Sequence, residues 1–262
     1  MTVRSPVTAE TSVGRAFRVV EAVADAGDGV TPKAIARRLG FTLPTTYRLL
    51  SMLVEEGYLV RLRELRGYGL GYRLGELAHR LTDQLAVPWA VRGVVHDLHR
   101  LAGGPAYYAV FRDDQIVIAH LDDCPVHPGP APLRVGEPVV GHATSVGKVL
   151  LADLDRRRLA GLLSSPDPLT RMTQRTITDR GRLGRELELV RELGVAAEVD
   201  ELVVGQAGVA APVRTHSGEV IGALGVSVSR PEFTARRTAI ERLVRDAARR
   251  VGDSPAEQVA AG

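Results

Sequence analysis

From Val13 onward, apolar side chains recur at helical spacing: Val13, Phe17, Val20 and Ala24, with Ala16, Val19 and Val23 beside them, until Gly27 interrupts. This predicts a first helix. Thr31 followed by Pro32 has the chemistry of an N-cap and a first-turn proline, and Ile35 and Leu39 point inward until Gly40. Thr42 and Pro44 repeat that signature, and Leu49, Leu50, Leu53 and Val54 form the inward stripe of a third helix up to Gly57. The period then changes to two. Tyr58, Val60 and Leu62 alternate with Leu59, Arg61 and Arg63, and Tyr68, Leu70 and Tyr72 alternate with glycines. Joined by Arg63-Glu64-Leu65-Arg66, these runs predict a hairpin with a basic outward face and tip.

Leu74, Leu77, Ala78, Leu81 and Leu85 restore the helical period and end before Pro88, which predicts a linker helix over residues 72–87. A further helix over Val91, Val94, Val95, Leu98 and Leu101 closes at Gly103-Gly104-Pro105. Strand runs follow at 106–111 and 116–121, then a stretch from 122 to 141 that holds five of the chain's 15 prolines and predicts an irregular loop. Helical patterns return at 144–153, 155–163 and 178–193, strands at 195–199, 209–214 and 220–228, and a last helix at about 232–251. Strands joined by hairpins with helices gathered around them indicate an α+β domain with a mainly antiparallel sheet. The organisation expected is a flexible N-terminus (1–11), a small helical domain with a hairpin (12–71), the linker helix (72–87), the α+β domain (88–251) and a frayed tail (252–262).

Composition narrows the classes. At 262 residues, with 45% hydrophobic and 25% charged side chains, the chain suits two globular domains. No apolar run is long enough for a membrane span, and the first eleven residues do not resemble a signal peptide, so a cytoplasmic protein is expected. Cys124 is the only cysteine, which rules out an intrachain disulfide. The net charge of +3 is concentrated at the N-terminus, where the first 80 residues hold 12 basic and 8 acidic side chains. Residues 29–54 carry Lys33, Arg37, Arg38 and Arg48 and no acid at all. Such a segment attracts phosphate without counter-repulsion.

The last two helices of the N-terminal set, joined by a tight Gly40-Phe41 turn, form a helix-turn-helix pattern. Thr45, Thr46, Tyr47 and Arg48 open the third helix with hydroxyls and a guanidinium suited to base edges and phosphates in a major groove. The stretch "TPKAIARRLGFTLPTTYRLLSMLVEEGYLVR", the hairpin and "GYRLG" resemble the winged helix-turn-helix domain of IclR-type bacterial transcriptional regulators. The second half is similar as well, in "GHATSVGKVLLA" (141–152), "RELGVAAEVDELVVGQAGVAAPV" (191–213) and "GEVIGALGVSVSRPEF" (218–233). The resemblance spans roughly residues 12–251. It implies DNA contacts by Lys33, Thr42, Thr45, Thr46, Tyr47, Arg48, Arg61, Arg63 and Arg66, and a GAF-like sensor. Leu43 departs from the lysine many relatives have at the start of the reading helix, which shifts the expected phosphate contact towards Arg48 and the wing.

In the sensor, the resemblance implies an effector site at Ser145, Val146, Glu198, Gly208, Ser227 and Ser229. Residues 141–147 read on their own as a loop entering a helix whose amides and dipole favour an anion, and Ser227 and Ser229, two apart on a strand, share a face. The expected function is a ligand-responsive regulator, usually a repressor, that senses a small organic acid. It would act on double-stranded operator DNA as a homodimer or dimer of dimers, with no cofactor, metal or membrane. Other chemistry is weaker. Ala143-Thr144-Ser145-Val146-Gly147 lacks the first glycine of a hydrolase nucleophile elbow, although Ser145 with His142 or His216 is the alternative, a small-molecule hydrolase. Five residues separate Gly141 from Gly147 and Val149 follows Lys148, so no Walker phosphate loop is formed. His96 and His99, expected on a helix surface, and Asp122, Asp123, Cys124 and His127 fit no standard metal spacing.

Overall fold

The computed structural model describes residues 11–84, 87–112, 114–164 and 168–254, and the chain divides into two compact units, Met1–Leu81 and Thr82–Gly262. The tail expectations for the first ten residues and for residues 255–262, and Leu85 of the linker stripe, lie outside the described residues.

In the first unit, three helices start where threonines supply an oxygen to a first-turn amide. Thr11 accepts from the Gly14 N–H before α1 (Ser12–Ala26), Thr31 from Ala34 before α2 (Pro32–Leu39), and Thr42 from Thr45 before α3 (Leu43–Glu55). Gly40, at φ +71°, is the left-handed residue that turns α2 into α3 within three residues. Val19, Ile35, Leu49, Leu50 and Leu59 are almost wholly buried together, each stabilising the unit by about 1.5–3 kcal/mol. Strands β1 (Leu59–Leu62) and β2 (Gly67–Leu70) pair antiparallel, with Leu59 opposite Leu70. The wing packs against the turn before α2 through a bridge from Val30 to Tyr68, at an approach so close that a Cβ on Gly67 would stand 2.1 Å from the Gly29 carbonyl oxygen.

Two expectations change here. Leu59 is the buried residue of β1 and Val60 is 41% exposed, because Leu59 leaves α3 directly into the three-helix core. Arg61 and Arg63 face solvent as expected, so the departure from the alternation is confined to Leu59 and Val60. Tyr72, which continues the alternation of the second strand run, opens α4 (Tyr72–Gln84), the expected linker helix, which starts at the expected position. Val87, counted with the linker, is buried in the core of the second unit.

The second unit is a five-stranded antiparallel sheet in the order β4-β3-β7-β6-β5, formed by β3 (Ala106–Arg112), β4 (Gln115–Asp122), β5 (Ala196–Val199), β6 (Gln206–Arg214) and β7 (Val220–Ser229). Alternation sends Ala207, Val209, Ala211, Leu224, Val226 and Val228 to one face, under α5 (Trp89–Ala102) and α9 (Arg230–Gly252). The opposite face receives Tyr107, Ala109, Ala196, Ala210 and Ala223 under α6 (Ser145–Asp153) and α8 (Arg180–Leu193). A short α7 (Arg156–Leu162) follows α6. The proline-rich loop forms no helix or named strand among its described residues, but Pro138 and Val135 bridge to Val117 and Ile118 on the sheet edge. Helices thus flank a mainly antiparallel sheet, as expected.

A candidate nucleic-acid interface and a buried polar cluster

Helical geometry decides which residues of α3 face outward. Thr46 is completely buried and its hydroxyl donates to the Thr42 carbonyl at 3.0 Å. It lies three, four and seven positions before Leu49, Leu50 and Leu53, so it belongs to their inward stripe, and its assignment to DNA contact is corrected. The remaining residues are placed outward. Thr42, Tyr47 and Arg48 are exposed, Thr45 is half-buried, and Lys33 projects from α2. Ser51 and Arg37, which the sequence reading did not count as contacts, are exposed too, and the spacing of Ser51 from Tyr47 and Arg48 could have revealed it. Arg61, Arg63 and Arg66 are exposed on the wing, where Arg66 takes φ +50° at the tip. Arg38 pairs with Asp25 of α1 at 2.5 Å, which offsets one of the four cations of the acid-free segment.

The residues expected around an effector assemble on the α6 face of the sheet. Glu198, Gly208 and Ser227 stand opposite one another in successive strands, a single row across β5, β6 and β7. Above the row lies the start of α6, where Thr144 accepts from the Gly147 N–H at 3.2 Å and Ser145 is fully buried, its hydroxyl beside the Tyr107 phenol and without a well-formed hydrogen bond among the described residues. Gly208 leaves room for this approach: a Cβ there would stand 2.9 Å from Ser145 Oγ and 3.0 Å from Glu198 Oε1. Val146 is buried beside them.

Glu198 is held by its own loop. Its Oε2 accepts from the Glu201 and Leu202 amides at 3.0 and 3.4 Å, yet burial outweighs those bonds and pushes its carboxyl up to about 7. Lys148, four residues into α6 and fully buried, donates to Glu201 Oε1 at 2.6 Å and to Glu186 Oε1 at 3.4 Å. Glu201 Oε2 has no hydrogen-bond partner among the described residues, and burial raises that carboxyl despite the lysine. Tyr107 enters from β3, its hydroxyl 3.1 Å from Ser227 Oγ, and burial pushes the phenol up to about 12. Neither Tyr107 nor Lys148 was counted in the sequence reading, since their relevance depends on strand order and burial.

Ser229 does not join this cluster. It is exposed at the end of β7, where its hydroxyl accepts from the Glu232 N–H at 3.3 Å and caps α9, so its effector assignment is corrected. The strand ends one residue after Val228, and alternation no longer governs it. A groove of about 710 Å³ reaches the cluster from its Lys148 side, lined by Glu186 and Glu201 together with Val195, Ala197, Phe233 and Arg237 among others, and none of the expected effector residues lines it.

The two histidines offered as a base for Ser145 are engaged or placed elsewhere. His142 Nε2 lies 2.9 Å from the Thr170 carbonyl, and His216 is exposed in the turn at the far ends of β6 and β7, roughly 20 Å along the strands from the Gly208 row. His99 is not a surface residue: it is buried, with Nδ1 2.9 Å from the Gly104 carbonyl oxygen. His96 pairs with Asp122 at 2.9 Å, and the described residues contain no cluster of three or more side chains that could hold a metal. No helix among the described residues is long and apolar enough to cross a membrane.

Comparison with known proteins gives two family matches, one for the C-terminal domain of the bacterial transcriptional regulator IclR over residues 79–253 and one for the IclR helix-turn-helix domain over residues 12–63. The chain is 31% identical over 232 residues to the transcriptional regulator Rv1719 of Mycobacterium tuberculosis, covering 87% of this chain and 86% of the relative. It is 27% identical over 242 residues to the transcriptional repressor AllR of Escherichia coli, covering 90% and 86%. An IclR homologue from Microbacterium hydrocarbonoxydans, solved with 4-hydroxybenzoate, has a TM-score of 0.73 at 24% identity, covering 96% of this chain and all of that one.

Proposed function

The chain belongs to the IclR family of bacterial transcriptional regulators, which are DNA-binding proteins and not enzymes, and from that premise we propose that it is a repressor released from, or locked onto, its operator by a small organic acid. The observation that supports DNA reading most directly is the outward face of α3: Tyr47, Arg48 and Ser51 are exposed within a segment free of acidic side chains, with the wing arginines beside it in sequence. AllR is named a repressor, which supports that sign of regulation.

The acid reading rests on the α6 start. The helix dipole favours negative charge there, and Ser145 offers a buried hydroxyl with no well-formed hydrogen bond among the described residues. The 4-hydroxybenzoate bound by the Microbacterium homologue supports an organic acid as the class. One winged domain reads one half-site, so a dimer or dimer of dimers on a palindrome is the assembly we propose.

Selection of bound duplexes from a random library by the full chain tests this reading. Enrichment of a palindrome with half-sites separated by whole helical turns is expected, and recovery of no sequence would contradict it. Organic acids titrated calorimetrically with and without that duplex must then show reciprocal coupling, each partner changing the other's affinity by the same factor.

A further inference from the structure

The polar groups assigned to the effector do not surround a ring-sized space, because the protein has filled it. Tyr107 is fully buried, its hydroxyl bonded to Ser227, and it stands opposite Gly225 in the ladder between β3 and β7. Its ring rests on the β7 backbone: a Cβ at Gly225 would lie 2.8 Å from Tyr107 Cε2 and 2.9 Å from Val146 Cγ1. Gly225 is therefore what lets the ring wedge between the strand and the first turn of α6. Beside it, over Gly208, Ser145 Oγ and Glu198 Oε1 each approach the point a Cβ would occupy, at 2.9 and 3.0 Å. At Gly208 the polar groups leave less than the room of a methyl group, and the apolar volume beside them belongs to a phenol.

On the reading of this cluster as the effector site, we propose that Tyr107 is its specificity-determining residue, occupying the space that an aromatic ligand would need and so restricting the site to aliphatic acids. Interiors are packed without spare volume of that size. An aromatic acid could reach Ser145 and Ser227 only by displacing Tyr107, which would break the Tyr107–Ser227 bond and cost the ring its burial. A short aliphatic acid needs the start of α6 and the Glu198 loop to yield around Gly208, but it leaves the Tyr107 ring in place. The ligand's class is thus set by a side chain that contacts the same serine the ligand would use.

The test uses the full-length protein and benzoate as probe, with binding read by calorimetry and folding checked by thermal melting. Shortening Tyr107 to alanine opens a cavity on the scale known to admit benzene-sized molecules. Tyr107→Ala is expected to bind benzoate at least about tenfold more tightly than the wild type. Tyr107→Phe, which keeps the ring and loses only the hydroxyl, is expected to stay as closed as the wild type. Should Tyr107→Ala not fold, Tyr107→Val serves, with the same gain expected in direction. Wild-type binding as tight as that of the shortened variant, or no gain in a folded variant, would overturn the proposal. Duplex binding by the same preparations separates the two readings. If it persists while benzoate fails to discriminate, the Tyr107 inference alone falls; if benzoate discriminates but no duplex is bound, the regulator reading falls and the inference stands.

Discussion

Two helices of this chain start alike and are used in opposite ways. Thr42 accepts from the Thr45 amide at the head of α3, and Thr144 accepts from the Gly147 amide at the head of α6. After that turn, α3 keeps a single stripe in its core and presents Tyr47, Arg48 and Ser51 to solvent. Every residue of α6 from Ser145 to Ala152 is buried, Lys148 included. Exposed reading groups stay hydrated until they meet a partner, so removing one leaves the scaffold intact. Buried polar groups depend on each other for satisfaction, and removing one leaves its neighbour unpaired in a low dielectric. Function and stability are separable in α3 and entangled in α6.

Lys148→Ala should break that comparison most visibly if it is wrong. It strands Glu201 and Glu186 against a cavity, and truncating one member of a buried ion pair costs about 3–5 kcal/mol. Urea unfolding of Lys148→Ala beside Arg48→Ala should show that loss in the first and a change within about 0.5 kcal/mol in the second. Equal losses in both would erase the contrast.

Glu198 gives the next largest effect, through pH. Burial raises its carboxyl from 4.5 to about 7, so the folded state binds the proton more tightly than the unfolded chain does. The associated stability is fully present below about pH 4.5 and is lost as pH rises towards 7, a loss on the order of 2–3 kcal/mol. The melting-temperature difference between wild type and Glu198→Gln should therefore move against the wild type as pH rises from 5 to 7.5, with about pH 7 marking its end. A flat difference would mean that Glu198 is well solvated.

The smallest effects sharpen the two corrected assignments. Ser229→Ala removes the α9 cap and should cost about 1 kcal/mol of stability while leaving any acid response in place, which calorimetry of the variant checks. Thr46→Val removes a hydroxyl bonded to the Thr42 carbonyl, again about 1 kcal/mol. Its duplex affinity should match the wild type's. A loss like that of Arg48→Ala would return Thr46 to the interface.

Local signals make the three helices legible: apolar spacing and Gly27 for α1, and threonine caps, first-turn prolines and Gly40 for α2 and α3. The exceptions there, Thr46, Leu59 and Val60, depend on which side chains the core claims, which local signals do not give. In the second unit the strands were legible from alternation and the sheet type from their connections. The cluster was not, since Glu198, Gly208, Ser227 and Tyr107 meet only through the order β3-β7-β6-β5. All six effector positions come from the resemblance, and five of them hold together in space; Ser229 does not, because a helix begins after that residue and takes its hydroxyl.

Duplex affinity of Arg48→Ala at matched salt, measured on the sequence the wild type selects, tests most directly whether α3 reads DNA. With folding intact, the account predicts a loss of at least about 1 kcal/mol. Unchanged affinity would contradict it.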